Sequence, residues 1–449
     1  MNILHGVPLG MSHAPEHESA LPAEADAVII GGGIIGICTA YYLAKQGLKP
    51  LVLEKGRVAA EQSARNWGWI RKTGRDYAEL PIVIEAQERW EELAAVCRDD
   101  FGLRRAGVTF LPKDEAQLEK YEAWARDFGE ASGTVMLGHA QVAAMLPDAV
   151  NPWGGAMHTA SDMVAEPFEA VPAIARAAVA AGAVIREGCA VRGLERAGGA
   201  VSGVVTEAGA VKTKLVLVAA GAWSSLFLRR EGVSIPQLSV RSNVLATAPM
   251  PLFFDGAAGE DAMSFRRRKD GGYTMASLGV NHLWVGPDAV RNLPHYRQLI
   301  WGGDFGMSYR LPAAKDWPDG LRTKRRWALD EETPFERMRV LDPRPSDAAL
   351  DRMLDKFAAR FPKVGRPKVA RRWAGMIDTM PDVVPVVDHA SIEGLSICTG
   401  MCGHGFGIGP AFGRIMADMM TGHTPGHDLS RFRLARFDSY ARLELGPDV

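Results

Sequence analysis

The sequence predicts an α/β fold, and two observations predict it. The first is a strand–turn–helix–strand unit over residues 26–55, DAVIIGGGIIGICTAYYLAKQGLKPLVLEK. Asp26 to Ile30 is strand-like, and Gly31, Gly33 and Gly36 supply a G-x-G-x-x-G turn. Ile34 to about Gln46 is helical with Gly47 to stop it, and the apolar strand Leu51 to Leu53 ends in Glu54. This is a complete βαβ dinucleotide fingerprint with its acid in register, the mark of a Rossmann-like domain. The second observation is length. A chain of 449 residues exceeds what one small core holds, so a Rossmann-like nucleotide-binding domain interleaved with a mixed-sheet second domain is expected.

Each part of the fingerprint has a physical task. Gly31 allows the tight turn from strand to helix, Gly33 lets backbone amides approach a pyrophosphate, and Gly36 lets the helix pack against the strand. The helix N-terminus at Ile34 and Ile35 offers unpaired N–H groups and partial positive charge to phosphates. Glu54, followed by Lys55, stands where a carboxylate accepts hydrogen bonds from a ribose 2′-OH, and an acid there argues against NADP. A glycine-rich turn alone also occurs in ordinary α/β proteins. Strand, helix, second strand and acid in register set this one apart.

Composition narrows the class. Hydrophobic residues make up 47% of the chain and charged residues 23%, as in an ordinary soluble globular enzyme. The formal net charge of −1 gives no basic surplus that would point to nucleic acid or an anionic membrane. No apolar run reaches the roughly 18 residues of a membrane-spanning helix. Residues 1–23 lack a basic start and an apolar core, so they read as a disordered leader and not as a signal peptide. The five cysteines, Cys38, Cys97, Cys189, Cys398 and Cys402, are odd in number and scattered, with no accompanying metal-ligand cluster. A reducing compartment, the cytoplasm, is expected.

Along the rest of the chain, a loop from Gly56 to Arg75 contains SARNWGWIRKTGRD and precedes a helix from about Ala78 to Cys97. Residues 105–112 read as a strand, 114–131 as a charged helix and 141–146 as a short helix. Glu166 to Ala181 reads as a helix and Ala183 to Arg192 as a strand. Residues 201–206 and 211–219 read as strands joined by a turn, and 238–248 as a further strand. SFRRRKDGGYTMASLG has hairpin character, with Asp270-Gly271-Gly272 as its turn. Helices and loops alternate from about Arg291 to Leu354, residues 395–399 form a strand, and a glycine-rich turn from Gly403 to Gly407 opens a helix from Pro410 to Met420.

Three separated segments then make a pattern: GGGIIGICTAYYLAKQGLKPLVLEK followed by SARNWGWIR; TKLVLVAAGAWSS; and RRWAGMIDTMPDVVPVVD followed by TGMCGHGFGIGPAFGRIMADMM. In order and over most of the chain, they resemble the FAD-dependent amine and amino-acid oxidoreductase superfamily that holds D-amino-acid oxidase, glycine oxidase, sarcosine oxidase and D-amino-acid dehydrogenase. The resemblance implies FAD at a domain interface, with 24–109, 160–237 and 370–449 forming a discontinuous FAD-binding domain and 110–159 and 238–369 a substrate domain. It implies that Gly403, His404, Gly405, Phe406, Gly407 and Ile408 bring backbone N–H groups toward the flavin's pyrimidine edge, where a helix N-terminus stabilises negative charge on the reduced ring. His404 alone would equally suit a packed turn. Ala220, Gly221 and Trp223 would lie near the adenosine or the ring linker, and Val191 would give the adenine a main-chain contact. Ser63, Arg65, Asn66, Trp67 and Gly68 would pass beneath the isoalloxazine.

The chain also departs from its relatives. Residues 373–378 hold no cysteine of the kind that attaches FAD in some members, so noncovalent FAD is expected. Glycine-oxidase-like members carry a carboxylate-clamping arginine in that stretch, where this chain has Ile377 or a neighbour. The clamp of sarcosine-oxidase-like members falls on Arg71, which is either a bidentate carboxylate ligand or a surface or phosphate-facing arginine. Arg266 and Arg268, spaced to share one face of a strand, are either a second clamp or a solvated strand edge. The lysine that promotes reaction with oxygen should follow the hairpin, but Met275 and Ala276 stand there and Lys269 sits at the turn, so a dehydrogenase passing electrons to a quinone or protein stands beside an oxidase. Asp378 either attracts a cationic amine or caps the turn before Pro381. Trp67, Trp69, Phe265 and Tyr273 either wall an apolar pocket or are plain core.

The expected function is thus an FAD-dependent oxidoreductase acting on the C–N bond of an amino acid or N-substituted amine. Hydride passes from the α-carbon to flavin N5, and water hydrolyses the imine. Arg71, Asp378, Trp67 and His404 are the catalytic candidates, and Arg71, Arg266, Arg268 and Tyr273 the substrate-binding ones. The electron acceptor is oxygen or a quinone, and no metal is expected. Two other readings are a flavin-binding electron-transfer subunit of a larger complex and a flavin monooxygenase, though the latter needs a second dinucleotide site and no second fingerprint is present.

Overall fold

The computed structural model describes residues 4–7, 9–277, 281–301, 307–310 and 317–446. Strand Ala27–Ile30, helix Ile34–Lys45 and strand Pro50–Leu53 form where the fingerprint places them. Their strands lie at the centre of a six-stranded sheet in the order Val184–Arg186, Pro50–Leu53, Ala27–Ile30, Val216–Val218, Leu395–Thr399, Val386–His389. The first five run parallel, and Val386–His389 pairs antiparallel at the edge. The parallel strands are continuous apolar runs because helices cover them: Ile34–Lys45, Pro167–Ala180 and Gly405–Thr421 share one core with Ile29, Val52 and Leu217.

Two of those helices come unusually close. A Cβ on Gly413 would stand 2.4 Å from Cys38 Cβ, and one on Gly409 would stand 2.6 Å from Ile34 Cγ1. Glycines one turn apart on the C-terminal helix therefore let its backbone rest against the helix that follows the dinucleotide turn. Helix Glu79–Val96 packs alongside, and Trp90 Nε1 donates to Gly407 O at 2.9 Å.

The second sheet is mixed, with eleven described strands. Val369–Thr379 pairs with Leu238–Thr247 from Leu238↔Thr379 to Thr247↔Val369, and the sheet continues through the hairpin Met263–Arg267/Tyr273–Ala276 to Ala257–Glu260, Val108–Phe110, Gly155–Thr159 and Thr134–Gly138. Helix Asp347–Arg360 covers the face bearing Phe265 and Tyr273.

The structure corrects several sequence-based boundaries. Strand Val369–Thr379, expected in the FAD-binding part, belongs to the mixed sheet because its whole length is paired with Leu238–Thr247. The expected strand 183–192 splits into Val184–Arg186 and Val191–Ala197 at Gly188, whose φ is +64°. The expected strand 211–219 splits likewise. Gly209–Lys212 closes a three-stranded meander, and Val216–Val218 enters the parallel sheet. Residues 105–112 break at Gly107, with φ +70°. The C-terminal helix starts at Gly405, not Pro410, so Pro410 lies inside it.

The expected disordered leader is bonded across both sheets in its described part, residues 1–3 and 8 lying outside the description. Leu4–His5 pairs parallel to Arg371–Arg372. The Glu16 and His17 amides donate to Glu187 Oε2 at 2.6 and 3.2 Å, Arg176 meets Glu16 at 2.9 Å, and Glu18 bridges to Arg186. Sequence composition could not show these partners; those of the Glu16 and His17 amides lie some 170 residues away. The expected alternation from Arg291 to Leu354 lies partly outside the described residues, at 302–306 and 311–316; within them are helices Leu293–Trp301, Pro334–Arg337 and Asp347–Arg360.

Because Gly413 is closed in by Cys38, Gly413→Ala should lower the stability of the folded chain by roughly 1–3 kcal/mol, the usual cost of overpacking. Urea unfolding followed by circular dichroism measures it, and an unchanged midpoint would show that the two helices are not in contact.

Candidate active site

A cavity of about 840 Å³ opens where the carboxyl ends of the parallel strands meet the mixed sheet. That is the place where open α/β sheets bind ligands, and the volume lies in the range of small-molecule and cofactor sites. Gly31, Gly33, Ile34, Ile35, Glu54 and Lys55 line one end. Gly31 has φ +113°, and a Cβ there would fall 2.4 Å from Ala219 O, so only glycine makes the turn. A Cβ on Gly36 would fall 2.1 Å from Gly31 O, which fixes the helix tight against the turn although Gly36 itself is outside the cavity lining. Ser63 Oγ accepts from Ile34 N at 2.9 Å. The Glu54 carboxylate accepts from Gly32 N and Gly56 N, both at 2.7 Å, and burial pushes its pKa up.

Other expected residues at this end have structural partners as well. Lys55 Nζ reaches Glu61 at 2.6 Å and the Met338 and Arg339 carbonyls, and it stands 4.6 Å from the Trp223 ring. Arg65 Nη1 donates to Ala374 O at 2.8 Å and pairs with Asp342 at 2.5 Å. The Asn66 side chain turns back on its own loop, donating to Ser63 O and accepting from Gly68 N, each at 2.8 Å. Trp67, Val191, Ala220, Gly221 and Trp223 all reach the cavity.

A second helix N-terminus meets the cavity from the other side. Met401 to Phe406 line it, with Gly403 at φ +84° and Cys402 at φ +51° making the turn. Gly407 and Ile408 are buried behind it, and a Cβ on Gly407 would stand 3.2 Å from the Ile70 backbone. The turn is held by Asp378. Its Oδ2 accepts from Gly400 N at 2.8 Å and from the Gln237 side chain at 3.2 Å, while its main-chain carbonyl accepts from Cys402 N at 2.9 Å. Oδ1 is buried without a partner, and burial raises this carboxyl's pKa. Asp378 is therefore a buried carboxyl that ties the end of its strand to the turn before His404.

The third wall is aromatic and basic. Trp67 and Trp69 meet edge to face at 5.4 Å, Trp69 stands 6.2 Å from Phe110, and Phe110 stands 6.1 Å from Tyr121. Arg71 lies within this wall, its guanidinium 4.9 Å from the Phe110 ring and bonded to Thr73 O. Among the described residues no carboxylate pairs with it. Burial and the neighbouring Arg75 guanidinium bring its pKa down to about 9. Asp162 fixes the loop beneath, accepting from Lys72 N at 2.8 Å and Thr73 Oγ1 at 2.6 Å. Behind Arg71 lie Arg75, Glu79 and His404. Arg75 Nη1 is 3.8 Å from Glu79 Oε2, and Glu79 is 3.3 Å from His404 Nδ1.

Comparison with known proteins agrees with this architecture. The family model described as DAO, FAD dependent oxidoreductase, matches residues 26–419. The chain belongs to this family. L-amino acid deaminase from Proteus myxofaciens, solved in complex with anthranilate, superimposes with a TM-score of 0.90 at 30% identity, covering 98% of this chain and 100% of that one. L-amino acid deaminase from Proteus vulgaris gives 0.88 at 29% identity, over 97% and 100%. The sarcosine oxidase subunit beta of Rhizobium meliloti (strain 1021) is 25% identical over 423 residues, 92% of this chain and 88% of its own length. The protein is therefore an FAD-dependent oxidoreductase, and among its described residues no helix is long and apolar enough to cross a membrane.

Five further expected site residues lie outside the cavity lining. Phe265 and Tyr273 share the strand face turned to helix Asp347–Arg360 and pack with Phe253, Phe357 and Phe361, and Tyr273 Oη donates to Phe254 O at 2.8 Å. Arg266, on the opposite face, is neither a free clamp nor a solvated edge. It forms a buried bidentate pair with Glu166 at 3.0 and 2.9 Å, and its Nε donates to Trp67 O at 2.6 Å. Arg268 lies past the end of the strand and pairs with Asp270 at the hairpin turn. Gly68 is closed in by Ala165 O and Arg266 and does not line the cavity. Lys269 reaches Asp100 and Glu169 on the outside.

Sequence reasoning missed Phe110, Tyr121, Arg75 and Glu79. None of the four carries a motif in the sequence; Arg75 and Glu79 come together with Arg71 only through the loop before helix Glu79–Val96. Arg266→Met should cost about 3–5 kcal/mol of stability by leaving Glu166 buried and unpaired, while KM for the amine substrate stays as in the parent. Thermal unfolding and steady-state kinetics check both, and a raised KM would return Arg266 to the substrate site.

Proposed function

We propose that this enzyme oxidises the C–N bond of an amino acid or N-substituted amino acid whose carboxylate docks on Arg71. The observation that carries the reading is the Arg71 guanidinium, held in an aromatic wall with no carboxylate partner among the described residues. Arg71 is half-buried and has no carboxylate within ion-pair distance among the described residues, and a planar guanidinium suits a ligand carboxylate bidentately. The anthranilate complex of the Proteus myxofaciens relative involves a ligand of the same chemistry, an aromatic amine with a carboxylate.

The residues present fit FAD. Gly31 and Gly33 leave a cradle that a Cβ would fill, and with the amides of the following helix they would hold the diphosphate. Glu54 would take the ribose, and Ala220, Gly221, Val191 and Trp223 the adenosine side. The turn from Gly403 to Phe406, with Ser63 and Trp67 opposite, would face the ring. FAD, when bound, supplies the two-electron acceptor. Attachment is noncovalent in this reading: residues 373–378 hold no cysteine, and burial pushes the Cys398 and Cys402 thiols up, which suppresses the thiolate.

The protein's own work is orientation. Arg71 fixes the carboxylate, and the Trp67, Trp69, Phe110 and Tyr121 wall excludes water and receives the substrate's apolar part. Asp378, buried beneath the cavity wall, acts from there as a carboxyl that favours the cationic iminium product before water hydrolyses it. Electrons then leave to oxygen or a quinone. The five unpaired cysteines suit a reducing cytoplasmic setting.

Anaerobic addition of a panel of amino acids and N-methyl amino acids to the holoenzyme should bleach the visible flavin band, and a panel that leaves the band intact sinks the reading. Arg71→Ala should raise KM for a carboxylate substrate about 10- to 100-fold, in line with the roughly 1.5–3 kcal/mol of a hydrogen bond to a charged group. An unchanged KM would remove Arg71 from the site.

A further inference from the structure

Oxidation of an amine requires a neutral nitrogen, whereas an amino acid arrives as an ammonium. The sequence shows no base for that proton, but the structure brings one together. His404 stands at the N-cap of helix Gly405–Thr421 and lines the cavity that Arg71 also lines. Its Nδ1 faces Glu79 at 3.3 Å. Glu79 is fully buried at the start of helix Glu79–Val96, and Arg75, also buried, lies 3.8 Å behind it. A carboxylate on Nδ1 selects the tautomer with the proton on that nitrogen and leaves Nε2 as an acceptor. Among the described residues none bonds to Nε2, and 18% of the side chain is exposed.

We propose that His404 Nε2 accepts the proton of the substrate ammonium, with Glu79 and Arg75 as the positioning residues that hold its tautomer. This rests on the amino-acid reading above. The N–H bond of the ammonium breaks, its electron pair stays on the substrate nitrogen, and the proton forms a new N–H bond at Nε2. No electron changes hands in this step. The resulting imidazolium is stabilised by Glu79 across Nδ1–H, the base–orienter arrangement of enzymes that carry a proton on histidine.

The charges around His404 make the base depend on the substrate. The groups facing it are Arg71 and Arg75 on the loop after Ile70, Glu79 on its helix, and the protonated Cys402 thiol on its own turn. Burial, then Arg75, with Arg71 adding to them against Glu79, bring the imidazole down to about 4 in the free protein. Glu79 stays ionised: burial alone would raise its pKa, but His404, Arg75 and Arg71 hold it below the usual range. A carboxylate docked on Arg71 cancels part of the positive field and makes Nε2 more basic. The same substrate that needs a base thereby switches it on.

The test uses the FAD-loaded enzyme and anaerobic stopped-flow reduction by an amino-acid substrate from pH 5 to 10. The expected result is that His404→Asn loses about 10²- to 10⁴-fold in rate at pH 7, the usual worth of a positioned base, and recovers toward pH 10, where the substrate is already neutral. Added imidazole restores part of the loss. Glu79→Leu falls with it, and Glu79→Gln, which keeps an acceptor for Nδ1–H, recovers at least about tenfold over Glu79→Leu. Benzoate, a carboxylate without an aliphatic amine, takes up a proton on binding to the parent at pH 5.5 and none on binding to His404→Asn, as read by calorimetry in buffers of different ionisation heat. A parallel loss at every pH, or equal proton uptake in both proteins, overturns the proposal and passes the proton to Asp378 or solvent. If no amino acid reduces even the parent enzyme, the functional reading fails instead, and the two failures are distinct.

Discussion

The contact between two helices governs the site. Helix Ile34–Lys45 follows the dinucleotide turn, helix Gly405–Thr421 comes from the far end of the chain, and Gly409 and Gly413 let them meet where any side chain would collide with Ile34 or Cys38. Because both helices then lie on one face of the parallel sheet, both N-termini open toward the same cavity. One end carries the cradle for a diphosphate, and the other carries the turn with Gly403 and His404. Partial positive charge from two helix ends therefore meets in one place, which suits an anionic cofactor and a ring that gains negative charge on accepting electrons.

That convergence creates an electrostatic problem, and the buried groups around it are arranged in response. Arg71 and Arg75 add two more cations in an apolar wall, answered by Glu79 on one side and by Asp162 beneath the loop. By contrast, Arg266 is engaged by Glu166, and Arg65 by Asp342 and two carbonyls. The contrast separates an arginine that joins two sheets from one with no carboxylate at ion-pair distance among the described residues. Sequence cannot draw it, since Arg71, Arg65 and Arg266 look alike until their neighbours are known.

Legibility in the sequence followed the range of the interactions. The fingerprint was readable because its glycines, helix and acid act within thirty residues of one another. The Met263–Arg267/Tyr273–Ala276 hairpin was readable because its turn is local. The α/β class and the family followed from such local runs kept in order. What could not be read was which sheet a strand joins. Val369–Thr379 reads like the strands around it, and its assignment to the mixed sheet rests on pairing with Leu238–Thr247, more than a hundred residues away. The same limit misplaced Phe265 and Tyr273: alternation told which residues share a face, but not that helix Asp347–Arg360 covers it. The leader was misread for the same reason: its polar composition concealed that the Glu16 and His17 amides donate to the distant Glu187 carboxylate.

Strand Val369–Thr379 also explains how the two halves can differ in constraint. Most of its length is locked into the mixed sheet, yet Asp378 near its end takes hydrogen bonds from Gly400 and Gln237 and anchors the turn that leads to His404. The strand therefore transmits the position of the mixed sheet to the His404 side of the cavity. The wall formed by Trp67, Trp69, Phe110 and Tyr121 is assembled differently: its residues come from one loop, two short strands and one helix. Phe110 and Tyr121 lie away from the glycine turn and the C-terminal helix, whereas Trp69 shares its strand with Ile70, on which Gly407 packs. A family that keeps its cofactor while changing its amine has, in this geometry, a physical reason to vary the rim and to keep the strand.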